Sequence, residues 1–101
     1  QRSNDMLTAN NWNVCQYAIL LMMLAQVSGL KVGTLVHVIS DAHIYDRHID
    51  MVKEIIEMPE HPAPKVWINP EVKDFYDFKI EDFKLEGYVA NEKKYSIPVA
   101  E

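Results

Sequence analysis

Leu35-Val36-His37-Val38-Ile39-Ser40-Asp41-Ala42-His43-Ile44-Tyr45 is the stretch that decides how this chain folds. Its first five residues are rich in β-branched side chains and short enough for a buried strand. If the strand runs on through Tyr45, side chains alternate between its faces. Asp41, His43 and Tyr45 then share one face, and Ala42 and Ile44 the other. A carboxylate, an imidazole and a phenol in one row can line a cleft with donors and acceptors. Spacing alone favours a satisfied buried polar cluster over a ligand site, and it specifies no substrate.

Composition bounds the alternatives. The chain has 101 residues, enough for one domain with a core, and 49% are apolar while 25% are charged. That balance belongs to a folded chain and not to a disordered one. A net charge of −5 argues against a nucleic-acid polymer as partner. A mononucleotide needs only one or two well-placed cations and stays open. Cys15 is the one cysteine, so no internal disulfide forms, which fits a reducing cytoplasm. No signal-peptide pattern or initiator Met is present, and the abrupt Gln1-Arg2-Ser3 opening is that of a fragment.

Working outward, residues 1–13 are polar and dense in Asn, which predicts a loop leading to a helix cap. Arg2 and Ser3 side by side offer a donor fork and a hydroxyl suited to a phosphate, although an exposed terminal arginine explains them equally well. Residues 14–28 predict a central helix covered on nearly all sides, because residues 17–25 are uninterrupted apolar. The run falls short of the about 20 residues a membrane helix needs. Gly29 stands where a left-handed helix end is expected. Cys15 is expected to be a buried structural thiol. Residues 46–58 predict an amphipathic helix capped by Asp46, with His48 an ordinary first-turn residue. Pro59, Pro62 and Pro64 then make a stiff connector. Val66-Trp67-Ile68 predicts a strand, Asn69-Pro70-Glu71 a turn, and Lys84-Leu85-Glu86-Gly87-Tyr88 an edge strand. Acidic pairs Asp74/Asp77 and Glu81/Asp82 are expected to be solvated surface.

Other chemistries find no pattern. The four histidines lack metal-ligand spacing and cysteine partners, so no metal is expected. Three scattered glycines make no phosphate loop, and no Gly-x-Ser-x-Gly elbow is present.

Six pieces, in order, nonetheless carry a specific resemblance. They are Gln1-Arg2-Ser3-Asn4-Asp5; Asn13 with Tyr17-Ala18; Gly29-Leu30; Ser40-Asp41-Ala42-His43-Ile44-Tyr45 with His48; Asn69-Pro70-Glu71-Val72-Lys73-Asp74; and Asp82-Phe83-Lys84-Leu85-Glu86-Gly87-Tyr88. In order and spacing the sequence resembles the C-terminal part of thymidylate synthase from Gln1 to Ala100. The resemblance implies reductive methylation of dUMP to dTMP, with 5,10-methylenetetrahydrofolate as co-substrate giving the carbon and the hydride. It implies that a cysteine thiolate, in a Pro-Cys-His segment absent from these residues, adds to the uracil ring. Cys15 does not match that cysteine, so no catalytic nucleophile is expected in this chain and the chain alone is expected to be inactive.

By position, Arg2 and Ser3 match the phosphate-binding residues, and Asn4 and Asp5 continue that wall. Asp5 also matches the carboxylate that holds the folate pterin. Asn13 matches the amide that reads the uracil edge. His43 and Tyr45 match the pair that bonds the deoxyribose hydroxyl, with Ile44 between them and Asp41 as support. Ala100 matches the penultimate residue of the tail that closes over folate.

Departures are local. Thr8-Ala9-Asn10-Asn11-Trp12-Asn13 stands where the family commonly has Leu-Gly-x-Pro-Phe-Asn, Ser40 replaces a usual Gly, a His-Pro after Tyr88 is missing, and Glu101 replaces an apolar last residue. The expectation is an α+β fold: a long buried helix and an amphipathic helix packed on a twisted mixed sheet, forming the C-terminal portion of one thymidylate synthase-like domain. A cytoplasmic homodimer with no membrane association is expected for the complete protein. Two rival functions are a non-catalytic nucleotide-binding or dimerisation module and a dUMP hydroxymethyltransferase.

Overall fold

A parallel pair of short strands joins the decisive stretch to the start of the chain. In the computed structural model, which describes residues 1–98, β1 (Ser3–Asp5) runs beside β2 (Asp41–His43) with Ser3 opposite Asp41, Asn4 opposite Ala42 and Asp5 opposite His43. Helix α1 (Asn10–Val27) lies between them in sequence, and after β2 come a 3-10 turn (Asp46–His48) and α2 (Ile49–Ile56). A second, antiparallel pair follows, β3 (Lys65–Ile68) and β4 (Phe83–Glu86), with Lys65 opposite Glu86 and Ile68 opposite Phe83. The secondary structure is that of an α+β chain, but the expected mixed sheet is realised as two separate two-stranded sheets.

The chain divides into two compact units. The first holds Gln1–Cys15, Val36–Glu60 and residues 91–98; the second holds Gln16–Leu35 and His61–Ala90. The first unit is built around β1, β2 and α2. Backbone bonds extend its strand pairing beyond the strands proper: Gln1 N donates to Val38 O (2.8 Å), and Ser40 N donates to Gln1 O (3.0 Å).

In the second unit, the helix end is set by backbone geometry. Gly29 adopts φ 65°, Gly29 N donates to Gln26 O (3.1 Å), and Leu30 N donates to Ala25 O (2.9 Å). These two bonds satisfy carbonyls that the helix leaves open at its C-terminus. Gln26 Nε2 donates to the carbonyls of Asn69 (2.8 Å) and Val72 (3.0 Å). Asn69 bonds the Asp82 carboxylate (2.7 Å), whose other oxygen accepts from Lys79 N (2.8 Å). These bonds pin the turn between β3 and the aromatic cluster of Phe75, Phe78 and Phe83.

Several expectations are corrected. Residues 35–39 form no strand: a ladder needs a partner, β1 is three residues long, and Val36 stays 77% exposed. Residues 3–5, expected as loop, are strand, and α1 starts at Asn10, four residues before the predicted onset. The helix is less covered than predicted, with Tyr17, Leu20 and Leu24 exposed and Ala25 buried. Apolar residues occur all round it, and no single layer covers every side of a cylinder. Cys15 is exposed rather than buried. Asp46 makes no side-chain cap; a 3-10 turn precedes α2 instead. Asp74 and Asp82 are turn-building carboxylates rather than bare surface, Asp74 accepting from Tyr76 N at 2.9 Å.

A Cβ built at Gly29 meets nothing within 4 Å, so substitution there costs backbone strain alone. Gly29→Ala should lower stability by about 1 kcal/mol, and Gly29→Asn by less. Urea unfolding checks this: the midpoint should fall with an unchanged slope.

Candidate functional site

The strand register decides which polar groups meet. Ser3 and Asp41 are partners in the parallel pair, and Ser3 Oγ donates to Asp41 Oδ2 at 2.9 Å. One pleat further on, Asp5 lies opposite His43. His43 and Tyr45 stand edge to face, their ring centroids 5.2 Å apart at 87°. His43 Nδ1 lies 3.5 Å from Asp41 Oδ1, too long for a strong bond but close enough to confirm that Asp41, His43 and Tyr45 share a row. The alternation predicted from sequence therefore survives, although the strand itself ends at His43.

Asn13 reaches this wall through a residue the sequence reading passed over. Gln1 Nε2 donates to Asn13 Oδ1 (2.8 Å) and to Ser3 O (3.0 Å), while Gln1 Oε1 lies 3.0 Å from His37 Nε2. Arg2 is exposed, its carbonyl accepting from Asp41 N (3.0 Å), and its guanidinium bonds none of Asn13, His43 or Tyr45 among the described residues. The structure thus joins Ser3 to Asp41, His43 to Tyr45, and Asn13 to the Ser3 backbone; Arg2 is tied in through its main chain. Ser3 has its proton engaged by Asp41, so an anion arriving there competes with that carboxylate.

Asn4 is 2% exposed, and its Nδ2 donates to Asn10 Oδ1 (3.0 Å). Its Oδ1 is buried with no partner among the described residues. Asp5 builds the turn into α1: Oδ1 accepts from Leu7 N (3.0 Å) and Thr8 N (3.2 Å), and Oδ2 from Thr8 Oγ1 (2.6 Å). Burial pushes the Asp5 carboxyl up, but the Thr8 and Leu7 bonds together outweigh it and hold the group below the usual carboxylate value. Ile44 faces an apolar cavity of about 280 Å³ that Met6, Leu7, Val52 and Ile97 also line. Ala100, the tail residue singled out from sequence, lies outside the described residues.

His48, expected as an ordinary first-turn residue, is instead buried beside the row. It is 1% exposed and stands edge-on to Tyr45, with ring centroids 5.8 Å apart. The signal was the Tyr45-x-x-His48 spacing. In a 3-10 turn, residues three apart eclipse, and His48 N donates to Tyr45 O at 2.8 Å. No cluster of three or more His, Cys, Asp or Glu side chains fit to hold a metal occurs among the described residues. No helix among them is long and apolar enough to cross a membrane.

Comparison with known proteins identifies the family. A family model described as thymidylate synthase matches residues 1–101. Thymidylate synthase 1 of Bacillus amyloliquefaciens is 50% identical over 99 residues, covering 97% of this chain and 43% of that relative. Thymidylate synthase of Bacillus mojavensis is 55% identical over 87 residues, covering 86% of this chain and 31% of the relative. Among solved structures, thermostable thymidylate synthase A from Bacillus subtilis superposes with a TM-score of 0.90 at 50% identity, over 94% of this chain and 34% of that one. The chain spans less than half the length of each of these relatives.

Because the folded-state value of Asp5 is depressed, its contribution to stability is present above its ordinary value of 3.8 and is lost as pH falls through the folded value. Thr8→Val removes the hydroxyl donor and should move the Asp5 titration upward, weakening the protein above about pH 4 and matching the unaltered protein once Asp5 is protonated in both at lower pH. Thr8→Ser should leave both unchanged. Carboxyl-resolved NMR titration reads the first effect, and urea unfolding compared at neutral and at acid pH the second.

Proposed function

The chain belongs to the thymidylate synthase family, and from that premise we propose that it serves the reductive methylation of dUMP to dTMP. 5,10-Methylenetetrahydrofolate would supply both the carbon and the hydride. The observation that carries this reading is the β1–β2 pairing, which sets Ser3 against Asp41 beside the His43–Tyr45 rung. A nucleotide has an anionic end, a sugar hydroxyl and a base edge. In this reading Arg2 and Ser3 take the phosphate, with the Asn4–Asp5 backbone continuing the wall. His43 and Tyr45 take the deoxyribose hydroxyl, with Ile44 as the apolar wall between them. Asn13 takes the uracil edge, an amide being able to match an acceptor and a donor at once. Asp5 holds the pterin ring with lone-pair capacity left over from the turn, and Ala100 lies in the tail that covers the folate.

Two features shape the chemistry. The phosphate must displace Asp41 from the Ser3 hydroxyl, and a charge-assisted bond to a dianion is stronger than one to a neutral acceptor. The family's Pro-Cys-His nucleophile segment is not among these 101 residues, and Cys15, between Val14 and Gln16, is not its counterpart. We therefore assign these residues to nucleotide and folate binding, with the thiolate brought by another segment. A cytoplasmic homodimer is the assembly we propose for the working enzyme, in line with the symmetric pairing usual among small enzymes.

Arg2→Ala should weaken dUMP binding about 10- to 100-fold, the loss expected of one charged hydrogen bond. Titration calorimetry of the protein with dUMP reads it; an unchanged affinity would remove Arg2 from the phosphate site. A tritium-release assay on the 101 residues alone should show no turnover, and measurable release would refute the need for an outside thiol.

A further inference from the structure

Residues 91–98 lie along α2 as a strap held at several points. Asn91 Nδ2 donates to Met58 Sδ (3.5 Å), Lys93 pairs with Glu54, and His48 Nε2 lies 3.0 Å from the Pro98 carbonyl. Ile97 fills one side of the apolar cavity that Met6, Ile44 and Val52 also line. These attachments are not equal. A thioether is a weak acceptor, and the Lys93–Glu54 pair is half-exposed, where solvent screening leaves such pairs worth little. The His48–Pro98 bond is different, because the imidazole is 1% exposed and losing its donor would leave a carbonyl without its partner.

The partner fixes one ring nitrogen. A carbonyl oxygen only accepts, so Nε2 carries a hydrogen. Nδ1 is buried and has no partner among the described residues, so nothing holds the ring by its other nitrogen. The ring's second restraint is Tyr45, edge-on at 5.8 Å, which in turn abuts His43. One buried imidazole thus touches the strap on one side and the polar row of β2 on the other.

We propose that His48 is the positioning residue of the strap: its Nε2–H holds the Pro98 carbonyl and so sets where residues 97 and 98 lie relative to the His43–Tyr45 rung. This goes beyond the nucleotide reading and does not depend on it. A histidine that merely fills space would be replaced without effect on the strap by an apolar ring of similar size.

Amide hydrogen exchange of residues 91–97 in the protein and in two variants tests it. His48→Phe keeps the volume and removes the donor, and it should speed exchange in the strap roughly 10-fold or more while leaving residues 3–5 unchanged. His48→Gln, whose Nε2 can reach the same carbonyl, should restore protection to within about threefold. Equal protection in the protein and His48→Phe, or no rescue by Gln, overturns the proposal. Should His48→Phe fail to fold, nitrogen-resolved NMR of the unaltered protein decides it. The expected signature is a protonated Nε2 on His48, and a bare Nε2 overturns the proposal.

Discussion

Everything in the first unit depends on a parallel pairing of two three-residue strands whose sequences lie 38 residues apart. Parallel strands cannot be joined by a tight turn; they need a connection of a dozen residues or more. α1 and the segment after it supply that connection. A pair this short is weak by itself, and a one-residue slip would turn Ser3 and Asp5 to the face opposite Asp41 and His43. Side chains therefore do work that a longer ladder would do by repetition. Ser3 bonds Asp41 in register, and Gln1 ties Ser3 O to Asn13 on α1. The register and the polar row are one feature, because the bonds that fix the first also orient the second.

The same division of labour recurs through the chain. Asp5, Asp74 and Asp82 each accept from backbone N–H groups in a turn, and Asn69 and Gln26 bridge segments far apart in sequence. Carboxylates that a composition argument assigns to solvent are here the acceptors that let the backbone turn without leaving N–H groups unpaired. Asp82 shows the electrostatic trace of this: bonds from Asn69 and Lys79 hold its carboxyl below the usual range.

What was legible from sequence was what local chemistry determines. Gly29 marked the helix end because only a residue without Cβ takes a positive φ cheaply there, and Val66-Trp67-Ile68 marked a strand. The Asp41, His43 and Tyr45 row followed from alternation, and the rings do face one another. What failed was whatever depends on a distant partner. Residues 35–39 have strand composition, but composition cannot create a neighbour to pair with, so Val36 and Val38 stay exposed. The cover expected over α1 and Cys15 failed for the same reason. Residues 3–5 were unreadable as strand because Ser, Asn and Asp favour turns locally, and only the long-range pairing with β2 overrides that preference.

The segment from Thr8 to Asn13 shows how such overrides permit sequence change. The common family pattern there carries a Gly and a Pro, residues that shape a loop through backbone freedom and backbone constraint. This chain has Ala9 and Asn11 instead, and no non-glycine residue among those described takes a positive φ. Ala9 therefore needs none of glycine's freedom; its carbonyl accepts the first bonds of the helix from Asn13 N at 3.0 Å. The path is held from the side chains: Thr8 donates to Asp5, and Asn10 accepts from the buried Asn4. Two hydrogen bonds stand in for two special backbones, and both end on residues of β1. Asn13 then stands three residues into α1, where Gln1 meets it. Polar side chains of β1 thus hold the segment from Thr8 to Asn10 at the same strand that carries Ser3.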